Sequence, residues 1–320
     1  MKRSPRQFPK VTLLAGGVGA ARLLRGLARI LPPAKLSVVV NTGDDDVFYG
    51  LHVSPDLDTI VYTLAGMVPF NPGWGIRGDS FRVRDELECF YGPGWFALGD
   101  RDLATHIFRT DRLRSGESLS ECTRQICRSR GVECEVLPMS DDRVRTVVHT
   151  PTGPLSFQDY LVKNRAKPRV VRIEYRGATR AKPAPGVLSA VTDAELLVIA
   201  PSNPLVSIGP MLALPGFRAA LRDASARTIA VSPLIRGRAV KGPLASMLRS
   251  LGYAVDNGGI ASLYRGLASE LVVAPDDVCP GTNSGWPRMV QHNILLSDTR
   301  RAAALARFIL SRGSRPPEAN

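Results

Sequence analysis

The sequence predicts an α/β fold, a mostly parallel sheet with helices on both faces and a smaller, largely helical insertion. Three observations lead there. Short apolar runs alternate with amphipathic helical stretches along the chain. Several of those runs are apolar without interruption, as strands buried on both faces are. The unusual segments, GGVGAAR, NTGDDD, APSNPLVSIGP, SPLIRG and APDD, each follow a predicted strand. Ligands of open α/β sheets bind outside the carboxyl ends of the strands, near the point where strand order reverses.

The elements follow in order. VTLLAGGVGAARLLRGLARIL reads as an apolar strand, a glycine turn and an amphipathic helix. KLSVVVNTGDDD is a second buried strand ending in an acidic loop, and residues 56–66 form a short helix opened by that loop. From about Arg82 to Arg130 the pattern is helical, with DRLRSGESLSECTRQICRSRG closing on glycine. CEVLPM, VRTVVHT, PLSFQDY and VVRIEYRG are short strands with Pro-Thr-Gly punctuation. ELLVIAPSNPLVSIGPML repeats the strand, loop and helix theme, and RTIAVSPLI and ELVVAPDD are two further strands. TRRAAALARFILSR is a last helix, followed by a tail, SRPPEAN, expected to fray. We therefore expect a core from residues 1–80 and 178–320, and an insertion or lid of helices and hairpins from 81–177.

Composition narrows the class. The chain of 320 residues is 44% apolar and 22% charged, enough to bury a large core. No apolar run reaches the roughly 18 residues that span a bilayer, so no membrane is expected. The basic MKRSPRQFPK is followed by glycines and Arg22 with no cleavage site, unlike a signal peptide. Cys89, Cys122, Cys127, Cys134 and Cys279 are odd in number and lack C-x-x-C pairs, which argues for reduced thiols in the cytoplasm and against structural zinc. The formal charge is +13, from 42 basic residues of which 35 are Arg. These are spread along the chain, which argues against a nucleic-acid footprint and is compatible with a phosphorylated small molecule.

Within this basic chain, Asp44, Asp45, Asp46, Asp56 and Asp58 fall in fifteen residues. They form either a solvated loop or a site that holds a cation against an anionic substrate. Mg²⁺ is commonly held by one or two carboxylates plus substrate phosphates. Three adjacent aspartates cannot all face one point, so at least one is only solvated. Gly16, Gly17 and Gly19 sit where small residues let backbone approach a phosphate, although a packing turn accounts for them equally. A dinucleotide fingerprint would need Gly or Ala where Arg22 stands, and a P-loop would need Gly-Lys-Ser/Thr. In residues 200–210, Asn203 and Ser207 offer hydrogen bonds, and Ile208-Gly209 opens a helix whose N-terminus can take a phosphate.

LLAGGVGAARLLRGL, VVNTGDDD, SPDLDTIVYTLAG, NPGWGIRGDSF, WFALGDRDLATHIFR and APSNPLVSIGPML occur in order between about residues 11 and 235. Together they resemble the 2-phospho-L-lactate transferase family of the CofD type. The resemblance implies a Rossmann-like core, Mg²⁺ as cofactor, a homodimer and a role in making the deazaflavin coenzyme F-420. It implies a guanosine-diphospho-activated three-carbon acid as donor, whose phospho-acid part passes to the ribityl hydroxyl of 7,8-didemethyl-8-hydroxy-5-deazariboflavin with release of GMP. Carried over, Gly16, Gly17, Gly19 and Arg22 match the phosphate cradle, and Ser202, Asn203, Ser207 and Gly209 a nucleotide-binding segment. Asp44, Asp45 and Asp58 match the metal region, with Asp44 and Asp58 as catalytic carboxylates. Asp56, Trp74, Arg77, Asp100, Arg101 and His106 fall around the acceptor, and Arg22, Arg77 and Arg101 supply positive charge. Two rivals stay open, a nucleotide-sugar-binding regulator of related fold and a glycosyltransferase using Asp56-Leu57-Asp58 as its metal motif.

Overall fold

Seven strands, β1 (Val11–Ala15), β2 (Leu36–Val40), β3 (Glu135–Pro138), β4 (Leu196–Ile199), β5 (Arg227–Val231), β6 (Glu270–Val273) and β7 (Arg288–Gln291), pair in one sheet. This is a computed structural model, and it describes residues 8–278, 281 and 283–313. Cys279, the first seven residues and the SRPPEAN tail lie outside the described residues. The strand order is β7-β6-β5-β4-β1-β2-β3, and every neighbour pair is parallel. The order reverses between β1 and β4, where one half of the sheet is wound outward from the other.

The apolar runs explain the double winding. Successive side chains of a strand point to opposite faces, so VTLLA and LSVVV must bury both. Leu13, Val38 and Val198 enter one core, and their neighbours Leu14, Val39 and Ile199 the other. The first face is covered by α1 (Gly17–Ala28), α2 (Pro55–Leu64) and, past α3 (Arg82–Tyr91) and α4 (Asp100–Arg114), by α5 (Leu119–Ser129), with the last described helix, Thr299–Gly313. The second face carries helices Val187–Thr192, Phe217–Asp223, Leu244–Ser250 and Asn257–Leu263. A three-stranded antiparallel sheet, Gly153–Ser156, Arg145–Thr150 and Arg172–Arg176, packs there too, through Val148 and Val144.

The expected boundary at 81–177 is corrected by this topology. Residues 119–138 form α5 and β3, the edge strand on β2, so they complete the core. Of the expected insertion, α3, α4 and the small sheet stand outside the seven-stranded layer. Hydrophobic period distinguishes strand from helix but not which sheet a strand joins, and that is decided by pairing. The acidic loop is likewise more structured than expected. Asp46–Phe48 and Leu51–Val53 pair as a hairpin whose turn residues, Tyr49 and Gly50, both have positive φ.

Cys89, Cys122, Cys127 and Cys134 are free thiols, as expected. Among the described residues no single helix is long and apolar enough to cross a membrane. At the amino ends of the strands, buried Glu270 accepts from Arg227 (2.7 Å), Arg288 (2.8 Å) and Arg312, tying β5, β6, β7 and the last helix together.

The close crossing of α1 and the last helix depends on Gly26, where a Cβ would stand 2.2 Å from the Ala302 carbonyl oxygen. Two backbones in contact cannot yield as side chains do. Gly26→Ala is expected to destabilise the chain by about 1–3 kcal/mol or more, by forcing the helices apart. Urea unfolding measures it, and an unchanged midpoint would show that the crossing is slack.

Candidate active site

The carboxyl ends of β1 and β4 face each other at the reversal of strand order. Ser202, just beyond β4, joins them by donating to the Gly16 carbonyl (2.7 Å) and accepting from the Gly16 N–H (3.3 Å). Gly17 has φ +71° and its N–H donates to Asp56 Oδ1 at 2.6 Å. A Cβ on Gly19 would lie 2.2 Å from the Pro201 carbonyl oxygen, so this glycine serves the approach of α1 to the loop after β4. Packing thus accounts for Gly19, and a carboxylate of the protein occupies the Gly17 N–H where phosphate was expected.

The acidic loops converge on this point. Asn41, the residue after β2, is their hub. Its Nδ2 donates to Asp44 (2.8 Å) and Asp56 (3.0 Å), and its Oδ1 accepts from the Gly43 N–H (2.9 Å). Gln158, two residues beyond the strand Gly153–Ser156, lies 3.4 Å from Asp44 Oδ2. Asp45 accepts from Ser54 Oγ (2.6 Å), while its other oxygen is buried with no partner. Asp46 turns away to pair with Arg145 (2.7 Å) and is the member of the triplet outside the group. Burial raises all three remaining carboxyls. Asp56 is pushed up to about 6 by burial, against hydrogen bonds from Asn41 and Gly17 that pull it down. Asp44 is raised well above the usual range by burial and then by the charges of Asp56 and Asp45. Asp45 is raised by burial, with Ser54 and Arg109 opposing. Carboxylate oxygens suit a hard divalent cation, although among the described residues the group whose three ligand atoms all lie within 4.8 Å of one another is Asp58, Asp102 and His106.

Asp58 belongs to a separate network. Arg109, 1% exposed, meets it with both terminal nitrogens, one at 3.2 Å. His106, also 1% exposed, stands between Asp58 (3.7 Å) and Asp102 (3.3 Å), and Tyr62 donates to Asp102 (2.7 Å). Asp56 and Asp58 therefore sit in different hydrogen-bond systems although two residues apart, and they do not form a joint two-carboxylate metal motif of the glycosyltransferase kind. Burial and the Arg109 charge lower His52 to about 4, so it stays neutral.

The other expected residues divide. Ser207 packs at Gly16 and beside Asp56, within the site. Asn203 accepts from the Leu205 N–H as a helix cap, and a Cβ on Gly209 would strike the Tyr175 hydroxyl at 2.0 Å. The helical turn starts at Pro204, not at Ile208. The Ile208 N–H donates to Asn203 O, so the phosphate site expected at Ile208-Gly209 has no free N–H at residue 208. Asp100 caps α3 through the Arg82 and Val83 N–H groups, while Asp79 caps α4 through Arg101 and Asp102. Being buried, His106 presents no surface to an acceptor. Trp74 (47% exposed), Arg77 and Arg101 lie on or beside the Val68–Arg77 loop, and Arg101 donates to the Arg77 carbonyl (3.2 Å). Sequence reasoning missed Asn41, Arg109 and Gln158. Asp102, His106 and Arg109 share one face of α4 by spacing, a charged stripe that reads as solvated until it is seen buried.

A doubly wound parallel sheet with a glycine turn and a buried acidic group at its switch point defines a nucleotide-handling α/β protein. The family described as 2-phospho-L-lactate transferase CofD matches residues 11–281. A phosphoenolpyruvate transferase of Streptomyces griseus is 44% identical over 260 residues, 80% of this chain and 82% of that one. A 2-phospho-L-lactate transferase of Methanospirillum hungatei is 36% identical over 302 residues, 94% and 99% of the two chains. A solved structure of a Bacillus halodurans protein has a TM-score of 0.61 at 16% identity, covering 95% of this chain and all of that one, which shows the fold alone. The chain belongs to the CofD family and is a phosphotransferase of the coenzyme F-420 biosynthesis type.

Two outcomes are expected here. A native carboxyl that keeps its proton to higher pH than the unfolded one stabilises the fold at low pH and loses that advantage as pH rises through its native pKa. In chelator-treated protein, Asp56 should therefore cost stability progressively from about pH 4 to about pH 7, and Asp56→Asn should be the more stable variant at neutrality by up to about 3 kcal/mol. Melting curves of the pair across this range decide it, and a gap that does not widen with pH would refute it. Arg109→Met should destabilise by about 3–5 kcal/mol, because it strands Asp58 as a buried unpaired charge. A loss under 1 kcal/mol in chemical unfolding would mean that Asp58 is hydrated.

Proposed function

We propose that this chain transfers the phospho-acid part of a guanosine-diphospho-activated three-carbon acid to the ribityl hydroxyl of 7,8-didemethyl-8-hydroxy-5-deazariboflavin, releasing GMP, with Mg²⁺ as cofactor. The observation that carries this reading is the group of buried Asp44 and Asp56 with half-buried Asp45 against the start of α1, in a chain of the CofD family. Asp44 and Asp45 remain in the expected cation set. Asp56 replaces Asp58 in it, since Arg109 already neutralises Asp58. A cation held there would screen the diphosphate charge that repels an incoming nucleophile.

The chain's own residues do the rest. Since Asp56 holds the first N–H of α1, positive charge toward the phosphates comes from Arg22. As the acceptor oxygen bonds to the phosphorus bearing the acid, the bond from that phosphorus to the GMP oxygen breaks. The hydroxyl proton passes to a carboxylate of the acidic group, a step worth about 10²–10⁴ in rate. Asn41 fixes Asp44 and Asp56 in register for this, and Ser202 and Ser207 hold the Gly16 turn. The same reading carries a homodimeric, cytoplasmic enzyme. For the acid, relatives at 41–44% identity are named phosphoenolpyruvate transferases and others at 36–40% 2-phospho-L-lactate transferases, so we take the enolpyruvyl acid as the preferred donor part.

Purified protein with Mg²⁺, the acceptor and each guanylylated acid in turn tests this by mass spectrometry. GMP and one acceptor adduct are expected, fastest with the enolpyruvyl donor. Asp44→Asn should lower turnover by roughly 10² or more with the fold intact. No adduct from any donor would overturn the reaction, and full turnover with chelator present would overturn the cation.

A further inference from the structure

The loop after α2, Val68–Arg77, is surrounded by cations that form no ion pair with a carboxylate among the described residues. Arg22 donates to the Phe70 carbonyl (3.4 Å) and to Asn71 Oδ1 (3.1 Å), and Arg25 to the Val68 carbonyl (2.6 Å). The two guanidinium carbons lie 5.2 and 5.3 Å from the centre of the Phe70 ring. Lys241, from the segment between β5 and helix Leu244–Ser250, donates to the Pro72 carbonyl (3.1 Å). Among the described residues, none of Arg22, Arg25, Arg77 and Lys241 forms an ion pair with Asp or Glu, whereas Arg109 and Arg145, beside the acidic loops, do. Arg22 Nε is buried without a partner. Burial lowers the pKa of Arg25, helped by the charges of Arg77 and Arg22, and burial lowers that of Lys241, helped by Arg22.

The half-buried members, Arg22 and Arg25, are costly unless they serve an anion. Carbonyl oxygens satisfy the donors, but they leave the net charge in place. Its position is informative. A Cβ on Gly73 would stand 2.7 Å from Val18 and 3.5 Å from Arg22 Nε, so the loop rests on the first turn of α1. The neighbouring residue there, Gly17, touches Asp56 of the acidic group. Fixed positive charge thus adjoins a carboxylate group suited to a cation, an arrangement that matches a ligand with several anionic centres. Lys241 comes from the far half of the sheet, so the two halves meet over this loop.

We propose that Arg22, Arg25, Arg77 and Lys241 form an oxyanion subsite beside the first turn of α1, which takes a phosphate or carboxylate group of the substrate. This rests on the transferase reading above, extending it to Arg25 and Lys241. The oxyanion has two sources, the guanosine diphosphate half of the donor or its three-carbon acid half. Titration calorimetry of the full chain with GDP and, separately, with phosphoenolpyruvate distinguishes them. Lys241→Ala should weaken one probe by about tenfold, the worth of one charge-assisted hydrogen bond, and Lys241→Ala combined with Arg77→Ala should weaken it further. Lys241→Arg should restore binding, and the probe affected identifies the source. Lys241 and Arg77 are exposed, so these variants keep the core. Both probes binding alike to wild type and variants, or neither binding to wild type, would overturn the subsite. A melting shift in Lys241→Ala with unchanged binding would likewise reduce it to a pin on the loop. A missing adduct in the product assay leaves these binding results standing, so the two readings fail separately.

Discussion

Two buried carboxylates, Asp44 and Asp56, with half-buried Asp45 beside them at the carboxyl ends of β1 and β2, are the condition around which this molecule is arranged. Like charges in a poorly hydrated place raise each other's pKa, and the chain meets this with oriented dipoles more than with salt bridges. Asn41 gives its amide to two carboxylates at once, Gly17 gives its backbone N–H, and Ser54 gives its hydroxyl. Asp56 lies in the first turn of α2 and against the first turn of α1, where both helix dipoles favour negative charge. The group remains under-neutralised, and one Asp45 oxygen has no partner. That imbalance is the basis of the proposed cation role.

The neighbouring Asp58 shows the opposite solution. Arg109 neutralises it directly, and His106, Asp102 and Tyr62 complete a closed network beneath the site. A buried pair of this kind gives little net stability, yet it fixes geometry, because breaking it leaves a naked charge. Two aspartates separated by one leucine thereby serve distinct purposes. α2 turns one toward the glycine loop and the other toward α4.

Charge of both signs is organised around the same crevice. The acidic group lies between β1, β2 and α2, and the unneutralised cations lie around the Val68–Arg77 loop on the adjoining side of α1. An overall charge of +13 says little about this. What matters is that, among the described residues, Arg22, Arg25, Arg77 and Lys241 form no ion pair with a carboxylate, while Arg227, Arg288 and Arg312 at the far end of the sheet share Glu270.

The sequence by itself determined the layers and pointed to the carboxyl ends of the strands, where the acidic group lies. Uninterrupted apolar strands require two covered faces, and loops rich in Gly, Asp and Pro after those strands mark the ligand end, since both are local consequences of period and turn chemistry. It also determined the family, because six motifs in order are hard to assemble otherwise. Only the tertiary structure decided which residues act together. It placed 119–138 in the core, turned Asp100 into a cap, buried His106, and exchanged Asp56 for Asp58 at the acidic group. It also brought Arg109, Gln158 and Lys241 to places that no spacing announces. The reason is physical: strand pairing and charge pairing join residues far apart in the chain, and each depends on a direction in space that one-dimensional order does not carry.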